Sequence, residues 1–356
     1  NQTRAISRDW TLSPTALLWS ADGEQLFAVT NDAGDIPVYT VSVPDGKRER
    51  VTGHGSVSGL RRAGDNLLLL RSDQDQCNDI YELALSGGKP RQLTDVNGDK
   101  LENIYLGPAE DFWFEGARSD RVQGWLVKPV GFDPAKKYPL AYIVHGGPQQ
   151  ANSHGFGYSQ WNPNMYASAG FVTAQINFHG SPGYGQNFTD SIWKQWGGYP
   201  FEDLMKGLDH LASLSFVDSS RAVALGASYG GFMMNWFNAQ TKRFRALVNH
   251  DGLFSTPTFW YSTEELWFPE HDFGGVPYDA ASRQTYERFN PERHAANFTT
   301  PTLFVHGGND FRVPIEQSLA PFTLLRRRGV PAKLVYFPNE NHWTQHIGNS
   351  VKWFTE

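Results

Sequence analysis

Apolar and polar positions along this chain follow two rhythms. Up to about residue 106 the apolar residues come in short clusters parted by polar, glycine-bearing turns, the spacing of strands in hairpins. The clusters repeat. Gly46-Lys47-Arg48-Glu49-Arg50-Val51-Thr52 returns as Gly88-Lys89-Pro90-Arg91-Gln92-Leu93-Thr94, an offset of 42 residues. At the same offset Tyr39 meets Tyr81, and Leu26-Phe27 meets Leu68-Leu69. Each copy reads as a short strand, a polar turn, a strand around the tyrosine, a glycine turn and a strand ending in Val/Leu-Thr. A period near ~40 with several strands per unit is the pattern of a β-propeller blade. Only two copies are visible, whereas propellers carry about four to eight blades. The expectation is a truncated propeller over 1–106, with further blades upstream in a longer protein.

From residue 107 the rhythm changes. Phe112–Glu115 and Val122–Pro129 predict a hairpin. Continuous apolar runs then predict buried strands at Leu140–Val144, Phe171–Ile176, Ala222–Leu225, Ala246–Val248, Thr302–Val305 and Lys333–Phe337. Between them Glu202–Ser213, with Leu204, Leu208 and Leu211 on one face, and Pro314–Arg328, with Pro321 inside, predict helices. Strands alternating with helices imply a mostly parallel sheet covered on both faces. Ligands then bind at the carboxyl ends of the strands. The expected fold class is α/β over 107–356, preceded by the all-β repeats.

The candidate chemistry sits at those strand ends. Gly226-Ala227-Ser228-Tyr229-Gly230 lies between a strand and an apolar helix, the pattern of the α/β-hydrolase nucleophile elbow. Side chains at Gly226 and Gly230 would collide with the neighbouring strand and helix. The tight turn lifts the Ser228 hydroxyl out at the sheet edge and leaves the Tyr229 amide near a helix start, where it can stabilise an oxyanion. A base and an orienting acid should follow in the order Ser, Asp, His. Asp310 falls just after the Thr302–Val305 strand, and His342 just after Lys333–Phe337. Their expected roles are nucleophile for Ser228, general base and acid for His342, and orientation of the imidazole for Asp310. His306, His346 and Glu340 rank lower, because they miss the strand-then-turn position or the chain order. The second oxyanion donor is expected from Val144-His145-Gly146-Gly147-Pro148, with Gly146 or Gly147 presenting its N–H. The glycine-rich loop Asn177–Gly185 is expected to support it.

Composition narrows the picture. The chain has 356 residues, 40% hydrophobic and 19% charged, enough for two domains with sizeable cores. A net charge of −6 argues against nucleic acid or an anionic membrane as partner. One cysteine, Cys77, rules out an internal disulfide. No apolar run approaches the ~18 residues of a membrane span. Sequons at Asn1, Asn187 and Asn297 tilt the expected location toward secreted or periplasmic, with cytoplasmic as the alternative. No cofactor and no metal are expected.

The set His145-Gly-Gly-Pro148, Asn177–Gly185, Trp196-Gly-Gly198, Gly226–Gly231, His306-Gly-Gly-x-Asp310-x-Arg-Val-Pro314 and Asn339-Glu-Asn-His342 resembles the prolyl oligopeptidase family of serine peptidases. Within it the set is nearest the acylaminoacyl-peptidase and dipeptidyl-peptidase V branch. The resemblance implies a hydrolase domain capped by a propeller that admits only short peptides. It matches Ser228, Asp310 and His342 to the triad, and Tyr229 and Gly146 to backbone oxyanion donors. Arg312 matches a position that holds a substrate carbonyl. Two departures stand out. Other branches carry a tyrosine where His145 stands. The acidic pair that anchors a free amino terminus in other dipeptidyl peptidases is not found in the repeats. Glu264-Glu265 is an acidic pair in the hydrolase half, expected on an ordinary helix face. Phe254, Tyr261 and Val313 are the expected wall of an apolar substrate pocket.

The expected function is hydrolysis of short peptides through an acyl-enzyme, releasing amino-terminal dipeptides. An acylaminoacyl peptidase is the first alternative, an esterase of the same fold the second, and an interaction module with a dead hydrolase the third. Association as a homodimer is expected through the blades.

Overall fold

The computed structural model describes residues 3–85, 88–157 and 159–356. The sequon at Asn1 lies outside the described residues. The chain forms two compact units. One comprises Asn1–Pro108 with Ala151–Tyr158 and Ser181–Thr189; the other comprises Ala109–Gln150, Ser159–Gly180 and Asp190–Glu356.

In the first unit β1 (Pro14–Trp19), β2 (Gln25–Thr30), β3 (Val38–Ser42) and β4 (Arg48–Arg50) pair in order as an antiparallel meander. A second meander follows with β5 (Ser56–Ala63), β6 (Asn66–Asp73), β7 (Gln76–Ala84) and β8 (Arg91–Gln92). The sequence repeat is a hydrogen-bond repeat. Val38 N donates to Thr52 Oγ1 and Ile80 N to Thr94 Oγ1, both at 2.9 Å. Val51 N reaches Val38 O at 2.9 Å, as Leu93 N reaches Ile80 O at 2.8 Å. The threonine closing each copy therefore caps a strand donor that the short last strand leaves unpaired. Phe27, Val29 and Val38 pack with Val57, Leu69 and Tyr81 in one core. Each copy has four strands where the sequence suggests three. The extra first strand, β1, is largely exposed, with Leu17 and Trp19 open to solvent, so no inward-facing alternation marks it.

The second unit is an eight-stranded mixed sheet with the α/β-hydrolase arrangement. Its strands are β9 (Ala109–Glu115), β10 (Arg121–Val127), β11 (Tyr138–Val144), β12 (Val172–Asn177), β13 (Val217–Ala227), β14 (Ala246–His250), β15 (Thr302–Gly307) and β16 (Ala332–Phe337). The order is β16-β15-β14-β13-β11-β12-β10-β9. The first six in that order run parallel, and the β9–β10 hairpin closes the far edge antiparallel. The central strands are buried on both sides, which is why they read as unbroken apolar runs. Leu204, Leu208 and Leu211 of the Tyr199–Ala212 helix are buried, on the face their spacing predicts. The Glu316–Arg327 helix tolerates Pro321 inside it. Among the described residues no helix is long and apolar enough to cross a membrane.

Candidate active site

The site grows out of the end of β13. Ser228 stands between that strand and the Tyr229–Gln240 helix with φ 58° and ψ −118°, a strained left-handed conformation for a side-chain-bearing residue. The flanking glycines make the turn sterically feasible. A Cβ on Gly226 would lie 2.6 Å from the carbonyl carbon of Gly230, and one on Gly230 would lie 2.2 Å from Val144 O on the neighbouring strand. The Ser228 N–H is shared between His250 O and Asp251 Oδ1, each at 3.0 Å.

Asp310 and His342 come together as their chain positions suggest. His342 Nδ1 lies 2.7 Å from Asp310 Oδ2. A carboxylate only accepts, so Nδ1 carries the hydrogen and Nε2 is left basic. The other oxygen, Asp310 Oδ1, accepts from Arg312 N at 3.0 Å and Val313 N at 2.9 Å, which fixes the carboxylate plane. The two loops interlock through glycines: a Cβ on Gly307 would meet Asn341 O at 2.2 Å, and one on Gly308 would meet Pro338 O at 2.8 Å. Glu340 ties the His342 loop together. Its carboxylate accepts from Gln345 N and His346 N, both at 3.0 Å, and from Asn349 Nδ2 at 2.6 Å. It is a loop brace rather than a rival to Asp310. His306 is fully buried between Ser318 Oγ at 2.8 Å and Val313 O at 2.7 Å, so both ring nitrogens are engaged away from the serine. His346 is exposed and bonded to Glu340.

The glycine loop after β11 reaches the elbow. A Cβ on Gly146 would sit 3.2 Å from Ala227 O and 3.4 Å from Ser228 Cβ. His145 lies flat on Phe178, ring centroids 4.0 Å apart, and Phe178 packs on Tyr229 at 5.5 Å. Burial pushes the His145 imidazole down to about 4, so it is neutral near pH 7. The Tyr229 hydroxyl is turned into the core, donating to Trp196 O at 2.5 Å, which leaves the backbone as that residue's means of reaching a substrate.

The pocket residues divide. Phe254 and Val313 are buried, and Phe254 stacks edge-on with Phe298 at 5.6 Å. Tyr261 is exposed at the end of the Thr256–Ser262 helix, edge-on to Trp260. Glu264 and Glu265 do not lie on a helix face. They occupy the link between that helix and Trp267–Phe273, where the Glu264 N–H donates to Phe311 O at 2.8 Å. There they meet Arg312, whose Nε is 3.1 Å from Glu265 Oε2 and whose Nη2 is 3.8 Å from Glu264 Oε1. The guanidinium also lies 4.9 Å from the centroid of the exposed Trp343 ring.

Sequence reasoning passed over Asp251. It is fully buried, has φ 41°, and its Oδ2 lies 3.6 Å from His342 Nδ1 and 3.3 Å from His250 Nε2. The signal was present: Asp251 follows the apolar run of β14 as Asp310 follows that of β15. Burial pushes the Asp251 carboxyl up to about 7, with Asp310 adding to the rise and His342 opposing it. Burial alone would lower His342, but Asp251 and then the Asp310 bond outweigh it and hold the imidazole above its ordinary value. Burial pushes His250 down to about 3.

One further cluster has donor groups suited to a metal: Asp35, His54 and His154 in the first unit. Arg50 Nη2 already sits 2.6 Å from Asp35 Oδ2, and Gly55 N 3.1 Å from Oδ1. An arginine on the carboxylate opposes a second cation, so this cluster is an ion-pair network.

Known proteins share this architecture. The model of the prolyl oligopeptidase family matches residues 156–356. A Schizosaccharomyces pombe protein named dipeptidyl-peptidase 5 is 38% identical over 361 residues, covering 99% of this chain and 51% of that protein. An acylaminoacyl peptidase solved in complex with Z-Gly-Gly-Phe-chloromethyl ketone matches with a TM-score of 0.89 at 24% identity, over 99% of this chain and 55% of its own. The uncomplexed Pyrococcus horikoshii acylaminoacyl peptidase matches with a TM-score of 0.84 at 25% identity, over 95% of this chain and 53% of its own. The chain spans about half the length of the curated relatives it matches.

Proposed function

This chain belongs to the prolyl oligopeptidase family, and from that premise we propose that its second unit is the catalytic body of a serine exopeptidase releasing dipeptides from the amino termini of short peptides. The observation that carries the reading is the 2.7 Å bond from His342 Nδ1 to Asp310 Oδ2, on loops adjoining the strained turn that holds Ser228.

In this mechanism Ser228 Oγ attacks the scissile carbonyl while His342 Nε2 takes its proton. Asp310 holds the ring and offsets the imidazolium charge. The N–H groups of Tyr229 and of Gly146 stabilise the oxyanion. His342 then protonates the leaving amine, and water, activated by the same imidazole, releases the acyl group. Arg312 binds a substrate backbone carbonyl through its planar donor fork. Its pairing with Glu264 and Glu265 orients that fork and places two carboxylates beside the site.

The two meanders of the first unit are read as two blades of a propeller. The support is the 42-residue repeat of sequence and of cap hydrogen bonds. Dipeptide release is favoured over removal of acylated residues by the 38% relative named dipeptidyl-peptidase 5. The likeness to acylaminoacyl peptidases, at 24–25% identity, supports the fold they share. Matched dipeptidyl amides with free and acetylated amino termini test the choice. Faster release from the free form is expected. Preference for the acetylated form would make the chain an acylaminoacyl peptidase, and turnover of simple esters with neither amide would make it an esterase.

A further inference from the structure

Two carboxyl groups, not one, face the imidazole of His342. The sheet order produces this. β14 lies between β13, which carries Ser228, and β15, which leads to Asp310. The residue after β14 is thus delivered between the serine and the acid. That residue is Asp251, and its position is fixed by backbone bonds: its N–H donates to Val305 O at 2.9 Å, and Gly252 N donates to Asn249 Oδ1 at 2.9 Å. Asn249 is in turn anchored to Gly231 O at 3.0 Å. The neighbouring chain leaves no slack, since a Cβ on Gly252 would lie 2.0 Å from the carbonyl carbon of Gly231.

The two oxygens of Asp251 have different surroundings. Oδ1 accepts the Ser228 N–H at 3.0 Å. Oδ2 is buried and accepts no hydrogen bond, although it lies 3.3 Å from His250 Nε2 and 3.6 Å from His342 Nδ1. An orphaned carboxylate oxygen in a dry site is costly unless it bears a proton or shares a neighbour's. Donor atoms of Asp251, Asp310 and His342 all lie within 4.8 Å of one another.

We propose that Asp251 is a second acid behind the catalytic imidazole, a positioning residue that steadies the Ser228 backbone with one oxygen and presents the other to His342 as a partner alternative to Asp310. The proposal rests on the serine-peptidase reading above. Its physical content is a pair of buried carboxyls that cannot both ionise freely beside one imidazole. The groups facing Asp251 are His250 beside it, His342 and Asp310 on the adjoining loops, and His306 and Arg312 beyond them. His250 and His306, both held below their ordinary values by burial, are neutral near pH 7. That leaves His342 and Arg312 as the nearby cations and Asp310 as the competing anion. Asp251 therefore gives up its proton near neutral pH and then adds a second negative charge to the imidazolium's surroundings. Removing Asp310 leaves Asp251 as the only carboxyl facing Nδ1 among the described residues.

The test is the rate at which a fluorophosphonate phosphonylates Ser228, followed against pH. In that reaction Ser228 Oγ bonds to phosphorus, fluoride leaves and His342 takes the proton, with no demand on peptide recognition. Asp251→Asn keeps an acceptor for the Ser228 N–H and should move the acid limb of the profile down by about one pH unit, the low end of what a neighbouring carboxylate imposes. Asp310→Ala should stay about tenfold or more above His342→Ala, and Asp251→Asn added to it should erase that margin. An unshifted profile in Asp251→Asn, or a margin that Asp251→Asn leaves in place, would overturn the proposal. Losing a triad acid ordinarily costs less than losing the base, so the Asp310→Ala margin counts only where a change at Asp251 erases it. If Asp251→Asn is unstable, Asp251→Ser is the variant in which the margin and the profile are read. A wild-type chain that folds but is not labelled at Ser228 would instead overturn the serine-peptidase reading, and this inference with it.

Discussion

Asp203 is the buried group on which the support of the oxyanion loop hangs. It projects from the Tyr199–Ala212 helix with no solvent exposure. Its Oδ1 accepts Ala117 N at 2.7 Å, and its Oδ2 accepts both His179 N at 2.7 Å and His179 Nδ1 at 2.6 Å. Ala117 and His179 are themselves fully buried, so water cannot replace the lost acceptor. Asp203→Ala strands three donors, two of them backbone N–H groups. At ~1–3 kcal/mol for each buried unpaired group, and about 3–5 kcal/mol for breaking a buried ion pair, a loss of about 4 kcal/mol is expected. For a body of roughly 150–250 residues that lowers Tm by roughly 8–16 °C. Asp203→Asn should cost somewhat less, because its one carbonyl oxygen still serves one side. A pH series supplies an internal control. Burial lowers the His179 pKa, but the bond to Asp203 and then Asp120 outweigh it, leaving the imidazole above its ordinary value. The stability this pair adds is fully present below the unfolded pKa of ~6.5 and is lost as pH rises through the folded value. The Tm gap between wild type and Asp203→Asn should therefore be widest near pH 5 and narrow toward pH 9. Calorimetry across that range is the assay. A Tm change under about 3 °C for Asp203→Ala, or a gap that widens with pH, would refute the reasoning. Function should fall too. Phe178, next to His179, is the surface on which His145 stacks, so loosening it frees the Gly146 loop.

Ser228→Ala should abolish turnover with Tm little changed, since alanine keeps the Cβ and the backbone conformation of the turn; retention of more than roughly a thousandth of wild-type kcat would exclude Ser228 as nucleophile. His342→Ala should be nearly as severe, and the two losses should not add. Arg312→Lys should lower kcat/KM for dipeptidyl amides more than for a small ester, because lysine loses the planar fork and its packing on Trp343; equal losses would place Arg312's effect on Asp310 instead.

Much of the site is legible in the chain itself, because its signals are local. A run of apolar residues marks a buried strand, and the residue just past it must emerge at the sheet edge. That logic reaches Ser228, Asp310 and His342 without knowledge of which strands are neighbours. The elbow glycines are equally local: φ at Ser228 and the lack of room for a Cβ on Gly230, which would lie 2.2 Å from Val144 O, follow from a strand turning at once into a helix. The 42-residue echo is likewise local, and its closing threonines, Thr52 and Thr94, cap equivalent strand donors in the fold. Tertiary structure alone decided the rest, because pairing across a sheet depends on strand order, which chain order does not specify. The same strand-end logic offers Asp251, but nothing in chain order ties it to His342 until β14 is set between β13 and β15 and its Oδ2 arrives 3.6 Å from His342. Glu264 and Glu265 look like a solvated helix face until the chain breaks between two short helices and turns them onto Arg312. His306 has the right residue type and strand for a base, yet it is removed from that role by Val313 O and Ser318 Oγ, partners 7 and 12 residues away that only the folded loop brings to its ring.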